Sequence, residues 1–170
     1  EGLIELLGGD EAFNKKLDEL FSMSSELGEE ASMDITGLIG QYAHGNEPSH
    51  HTTYMYAYSG EHYKIADKVR YINNELYTDK PDGLSGNEDC GQMSAWYILS
   101  SIGFYPVNPS NGAYVFGSPL FDEVTLNIPG QNKFKISAKN NSDKNIYIQS
   151  VSLNGEDYKY SYITHKQILE

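Results

Sequence analysis

The chain has 170 residues, with 24 Asp and Glu against 12 Lys and Arg and a net charge of −12. That balance excludes a binder that neutralises nucleic-acid phosphates, and no run of about 18 apolar residues marks a membrane span. The single cysteine, Cys90, excludes an internal disulfide and a cysteine zinc site.

The length allows one or two domains with a sizeable core. The first residue is Glu1 rather than Met, which predicts a processed or excised piece, in which the lack of a signal peptide says nothing about compartment. Its 14 Tyr, 6 Phe and 1 Trp suit core packing, or stacking on sugar rings.

Leu3, Ile4, Leu6 and Leu7 followed by Gly8-Gly9 predict the last turns of a helix with a glycine stop. Asp10 then caps a new helix, in which Phe13, Leu17, Leu20 and Phe21 share one face and which frays near Ser24-Ser25. Residues 26–48 are less regular, with Glu29, Glu30 and Asp34 as solvated loop charge and a short helix or turn at residues 38–42. Residues 52–58 are aromatic on more than one side, which predicts an inner, buried helix stopped by Ser59-Gly60. Residues 61–77 form the clearest amphipathic helix, with Ile65, Val69, Ile72 and Leu76 as one stripe and Glu61, Lys64, Lys68 and Glu75 outward. Pro81-Asp82-Gly83 is turn chemistry. Residues 89–103 are a further largely apolar, inner helix.

At Phe104-Tyr105-Pro106 the periodicity changes from helical to two-residue. Val124, Leu126 and Ile128 alternate with polar residues, as do Phe134, Ile136 and Ala138; Ile146, Ile148, Val151 and Leu153 continue the habit. Asn154-Gly155 is a hairpin turn candidate, and Tyr158, Tyr160 and Tyr162 line one face of a last strand. The expected class is α+β: a helical domain over residues 1–105, then an antiparallel β domain over residues 106–170.

Two loops carry the chemistry. Gly86-Asn87-Glu88-Asp89-Cys90-Gly91 sets two adjacent acids and an amide ahead of an apolar helix. Gly45-Asn46-Glu47-Pro48-Ser49-His50-His51 repeats the Gly-Asn-Glu opening ahead of an aromatic stretch. Asn46 and Asn87 are separated by about the length of one helix, a loop, a second helix and a loop. A helical hairpin of that length puts both loops at one end of the structure, where they form a polar pocket floor. Taken singly, Asn87 or Asp89 can simply cap a helix. An acid at a helix N-terminus has its ionised form favoured. Cys90 reads as structural packing, and Trp96, Tyr54 and Tyr97 as core.

Residues 81–97, Pro-Asp-Gly-Leu-Ser-Gly-Asn-Glu-Asp-Cys-Gly-Gln-Met-Ser-Ala-Trp-Tyr, resemble the central motif of the glycoside hydrolase family 92 α-mannosidases. Gly45-Asn46-Glu47-Pro48-Ser49-His50-His51 resembles another motif of that family. Gly103-Phe104-Tyr105-Pro106-Val107-Asn108-Pro109, Gly117-Ser118-Pro119-Leu120-Phe121 and the stretch from Tyr147 to Gly155 match in the same order. The resemblance implies a calcium-dependent, exo-acting, inverting α-mannosidase acting on mannose-containing glycans. It implies that this chain supplies the last helical hairpins of an (α/α)6 toroid and the β-sheet or sandwich region after them. Its partners would be the rest of its own chain, an N-terminal β-sandwich and the remaining toroid.

On the same basis Asp89 is the expected general base, with Glu88 or Asn87 orienting the water. The general acid is expected just before Glu1, so the isolated chain is expected to be inactive. Glu47 and Asn46 are the expected calcium ligands, since calcium takes hard oxygen donors. The positive helix end opposes a cation there, so several loops must contribute. His50 and His51, with Glu47, are expected to contact the sugar; a histidine satisfied by backbone or water is the alternative for each. A periplasmic or extracellular location follows by analogy. The competing reading is a non-catalytic carbohydrate-binding module, which would carry its polar and aromatic cluster on the β part.

Overall fold

The computed structural model describes residues 1–28, 32, 35–130 and 133–170. The segment carrying Glu29, Glu30 and Asp34 lies outside the described residues. In chain order come α1 (Gly2–Leu7), α2 (Asp10–Ser22), the short hairpin β1 (Leu38–Ile39) and β2 (Tyr42–Ala43), and 3₁₀ helices at Glu47–Ser49 and Thr52–Tyr58. Next are α3 (Lys64–Glu75), α4 (Gln92–Ile102) and β3 (Phe104–Tyr105). A 3₁₀ turn at Pro109–Asn111 precedes β4 (Ala113–Phe116), β5 (Glu123–Asn127) and β6 (Lys133–Ser137). The chain closes with β7 (Val151–Leu153), β8 (Glu156–Tyr158), β9 (Tyr162–Thr164) and α5 (His165–Leu169). Every strand pairing is antiparallel, and the class is mixed α+β.

Local chemistry accounts for these boundaries. Gly8, at φ 99°, ends α1 in the left-handed conformation, and the N–H groups of Gly8 and Gly9 return to the carbonyls of Glu5 and Ile4. α3 buries Ile65, Val69 and Ile72 on one face, as its stripe demands. The β5–β6 register pairs Val124 with Ile136 and Leu126 with Phe134, so both strands turn the same apolar set inward. Asn154 and Gly155, at φ 52° and 88°, form the two-residue turn between β7 and β8.

The larger core joins Phe13, Leu17 and Phe21 of α2 to Ile65, Val69 and Ile72 of α3, with Tyr42, Tyr54, Tyr56 and Trp96 among them. A second cluster of Ile102, Phe104, Ile163 and Ile168 takes in the inner faces of β5 and β6. Arg70 bridges α3 to the β region: it is 7% exposed, Nε donates to Ser118 Oγ at 2.9 Å, and the guanidinium also reaches the Pro119 carbonyl and Asn141.

Several local expectations need correction. The segment at residues 38–42 takes the turn alternative, not the helix: Gly40, at φ 61°, reverses the chain between the two short strands of a hairpin. The aromatic stretch at Thr52–Tyr58 winds as a 3₁₀ helix, with Thr53, Tyr54 and Tyr56 buried. The helix expected from Asp89 begins at Gln92, since Asp89, Cys90 and Gly91 all take positive φ (49°, 57° and 93°). Ile146 and Ile148 lie outside any strand, and Tyr158 and Tyr162 belong to two strands rather than one. Cys90 is exposed instead of packed.

Candidate functional site

The two Gly-Asn-Glu loops meet at their glycines. A Cβ on Gly45 would stand 2.0 Å from Thr36 Oγ1 and 2.1 Å from the Ser85 carbonyl oxygen, closer than any real Cβ contact. On Gly86 it would stand 3.1 Å from the Gly45 carbonyl oxygen. Backbones that close admit only glycine. Thr36 stitches the junction: its hydroxyl donates to the Ser85 carbonyl at 2.9 Å, and its own carbonyl accepts the Gly45 N–H at 3.1 Å. The two motifs, distant in sequence, therefore leave from one point.

Beyond that point their acids converge. The side chains of Glu47 and Asp89 come close enough for each carboxyl group to shift the protonation of the other. The contact with Glu47, with added repulsion from Glu47 and Glu88, raises the Asp89 pKa above the usual carboxyl value. Glu47 is the member held low, chiefly by its bond with Asp89 and then by a backbone N–H. The direction for Asp89 is the reverse of that expected from a helix N-terminus. Asp89 lies ahead of the first turn of α4, where the dipole fades, and faces a carboxylate.

Glu88 points elsewhere. Its two oxygens accept the Ser94 N–H at 3.0 Å and the Ser94 hydroxyl at 2.6 Å, which lowers its pKa and ties the loop to the first turn of α4. Asn46 and Asn87 are both exposed on their loops. His51 is exposed at the start of the 3₁₀ helix, on the solvent side of the first motif.

Beneath the carboxyl pair lies an aromatic and histidine layer. Tyr77 gives its hydroxyl hydrogen to the Met93 carbonyl at 3.0 Å, so at 2.7 Å it accepts from His44 Nε2. His44 Nδ1 is then bare and accepts from the Tyr42 hydroxyl at 2.8 Å. Burial, with help from His50, holds the His44 pKa down to about 3, and the ring is neutral. His50 is 1% exposed. Its Nε2–H donates to the His44 carbonyl at 3.0 Å, and its Nδ1 accepts from the Gln92 side chain at 3.2 Å. Trp96, fully buried, donates Nε1–H to the His50 carbonyl at 3.1 Å. His50 thus sits under the loop with both ring nitrogens engaged, the satisfied-histidine alternative, while His51 faces out.

Thr36, His44 and Gln92 hold the two loops together, and none stands out in the sequence. His44 carries a faint signal, since it directly precedes the Gly-Asn-Glu motif. Gln92 lies within the residue 81–97 motif, but nothing local shows its bond to His50; Thr36 carries no signal, because its bonds cross long stretches of chain.

Calcium takes roughly 6–8 oxygen ligands. The opposed carboxyls of Glu47 and Asp89 are hard donors of the right kind, and a cation would relieve their repulsion. Among the described residues no group of three or more His, Cys, Asp or Glu gathers at one point. The pair, with Asn46 beside it, fits as one side of such a ligand set.

The sequence profile of the glycosyl hydrolase family 92 catalytic domain matches residues 1–170. An uncharacterized secreted glycosidase of Arthroderma benhamiae is 30% identical over 170 residues, covering 98% of this chain and 20% of that protein. A family GH92 α-mannosidase of Bacteroides thetaiotaomicron, solved in complex with mannoimidazole, is 45% identical with a TM-score of 0.87. That alignment covers 94% of this chain and 21% of the other. A GH92 inverting mannosidase of the same organism is 37% identical with a TM-score of 0.83, over 99% of this chain and 24% of the other. The chain therefore spans about a fifth to a quarter of the length of these relatives. Among the described residues no helix is long and apolar enough to cross a membrane.

Proposed function

We propose that this chain, which belongs to glycosyl hydrolase family 92, contributes part of the active site of an inverting exo-acting α-mannosidase. The observation that carries the reading is the convergence of Glu47 and Asp89 from two distant loops. The likeness to mannosidases, one of them bound to mannoimidazole, supports mannose-containing glycans as the substrate class. The converging acids belong to the helical part, which disfavours a binding module built on the β strands.

An inverting hydrolase needs a base that takes a proton from water and an acid that protonates the leaving oxygen. The two stand roughly 6.5–9.5 Å apart across the sugar. Glu47 and Asp89 lie too close together for that spacing, so they are not that pair. Asp89 serves as the base, ionised at working pH, and the acid comes from elsewhere in the full-length enzyme. With Glu88 engaged by Ser94, Asn87 is the neighbour that orients the water. Glu47 and His51 face the sugar, and His50 supports them from below.

Glu47 and Asn46 would hold calcium. When bound, it supplies a fixed positive charge that offsets the carboxyl pair and takes hydroxyl oxygens as ligands. The helices would form the last hairpins of an (α/α)6 toroid and the strands part of the sandwich region following it. A secreted relative supports an extracellular or periplasmic location. The test is hydrolysis of an α-mannoside by the full-length enzyme, with the product anomer followed by NMR. β-Mannose as first product supports inversion; α-mannose first, or no hydrolysis, refutes the reading.

A further inference from the structure

We infer that Thr36 is a positioning residue for the carboxyl pair, through a hydroxyl that locks the two acidic loops in register. The inference rests on the reading of Glu47 and Asp89 given above. Thr36 is bonded to both loops at once. Its carbonyl holds the Gly45 N–H at 3.1 Å, two residues before Glu47. Its hydroxyl holds the Ser85 carbonyl at 2.9 Å, four residues before Asp89. The next residue, Gly37, continues the clasp by accepting the His44 N–H at 3.0 Å.

The hydroxyl is the replaceable part of this clasp. The Gly45 bond is made by backbone and survives any side-chain change. The Ser85 bond is made by Oγ1 alone, and Ser85 is half-buried. Without its donor the carbonyl turns toward water, because an unpaired, partly buried acceptor costs more than a small rearrangement. The loop it leads carries Asp89 and Cys90 in the left-handed region, so a shift at Ser85 is passed on to Asp89. A displacement of about 1 Å in a catalytic group can lower the rate about 10²-fold.

The experiment compares wild type, Thr36→Val and Thr36→Ser of the full-length enzyme on an aryl α-mannoside, with melting temperatures recorded alongside. Valine keeps the shape of threonine and removes the donor; serine keeps the donor. The expected result is a kcat lowered about 10- to 100-fold in Thr36→Val, a smaller change in KM, and recovery in Thr36→Ser. A wild-type kcat in folded Thr36→Val overturns the inference and leaves the proposed function standing. Loss in both variants also overturns it, since the hydroxyl would not be the cause. If Thr36→Val does not fold, Thr36→Ala carries the comparison; if neither folds, Thr36 is a fold determinant and the inference falls. No hydrolysis by wild type refutes the functional reading itself.

Discussion

The carboxyl of Asp89 meets the carboxyl of Glu47, although the two residues belong to different loops, and Asp89 is the member whose pKa rises. Such a pair repels when both members ionise. It therefore keeps a proton at low pH or draws a cation at higher pH. Removing one member changes more than a charge count, since it releases the other.

Glu47→Gln is expected to weaken calcium dependence and substrate binding together. The amide keeps the size of the side chain and loses the charge a hard cation needs. Calcium titration of activity in the full-length enzyme should require more metal, with a raised KM. An unchanged calcium requirement and unchanged KM would remove Glu47 from the metal site.

Gly45→Ala is expected to cost at least about 2 kcal/mol of stability, or to force the two loops apart, because its methyl would overlap Thr36 and Ser85. Gly28→Ala is the control, with nothing among the described residues within 4 Å of its Cβ position, and should change stability by no more than about 0.5 kcal/mol. Chemical denaturation of both variants checks this. Equal stabilities would mean that the loops do not meet as described.

Acid should destabilise the fold through His44. Its folded pKa of about 3 lies below the ordinary histidine value of 6.5, so below pH 6.5 the unfolded chain binds a proton that the folded chain refuses. Stability from this group is fully present above pH 6.5 and is lost progressively as pH falls toward 3. At pH 4.5 the loss should be about 3 kcal/mol relative to pH 7. His50, also lowered mainly by burial, adds in the same direction. Urea titrations at several pH values measure it. Flat stability from pH 7 to 4.5 would show His44 accessible to protons.

The isolated 170-residue chain should not hydrolyse mannosides. One general acid typically contributes about 10²–10⁴-fold, and the reading assigns it elsewhere. Robust turnover by the purified chain would show that the acid lies within it.

Legibility in the sequence followed the range of the interactions. α3 and the β5–β6 hairpin were readable because their stripes and alternation are local and the same faces are buried. The Asn154-Gly155 turn was readable for the same reason. The 3₁₀ winding of Thr52–Tyr58 was not, since an aromatic run buried on several sides has no helical period to betray its pitch. The two acidic loops stand out by motif, but their contact does not. It depends on Gly45 packing against Ser85 and on the Thr36 hydroxyl, contacts that cross dozens of residues. The raised pKa of Asp89 was hidden with them, because local sequence offers a helix start and only the fold brings Glu47.

The most direct test of the central claim is the steady-state kinetics of Asp89→Asn in the full-length enzyme. The amide keeps the reach of the side chain but cannot take a proton from water. Turnover should therefore collapse, with kcat lowered about 10²–10⁴-fold and KM changed far less. Glu88→Gln, which weakens the Ser94 contact and removes a minor repulsion on Asp89, should retain substantially more activity. Wild-type rates in Asp89→Asn with a dead Glu88→Gln would transfer the base to Glu88, and wild-type rates in both would remove this loop from the chemistry.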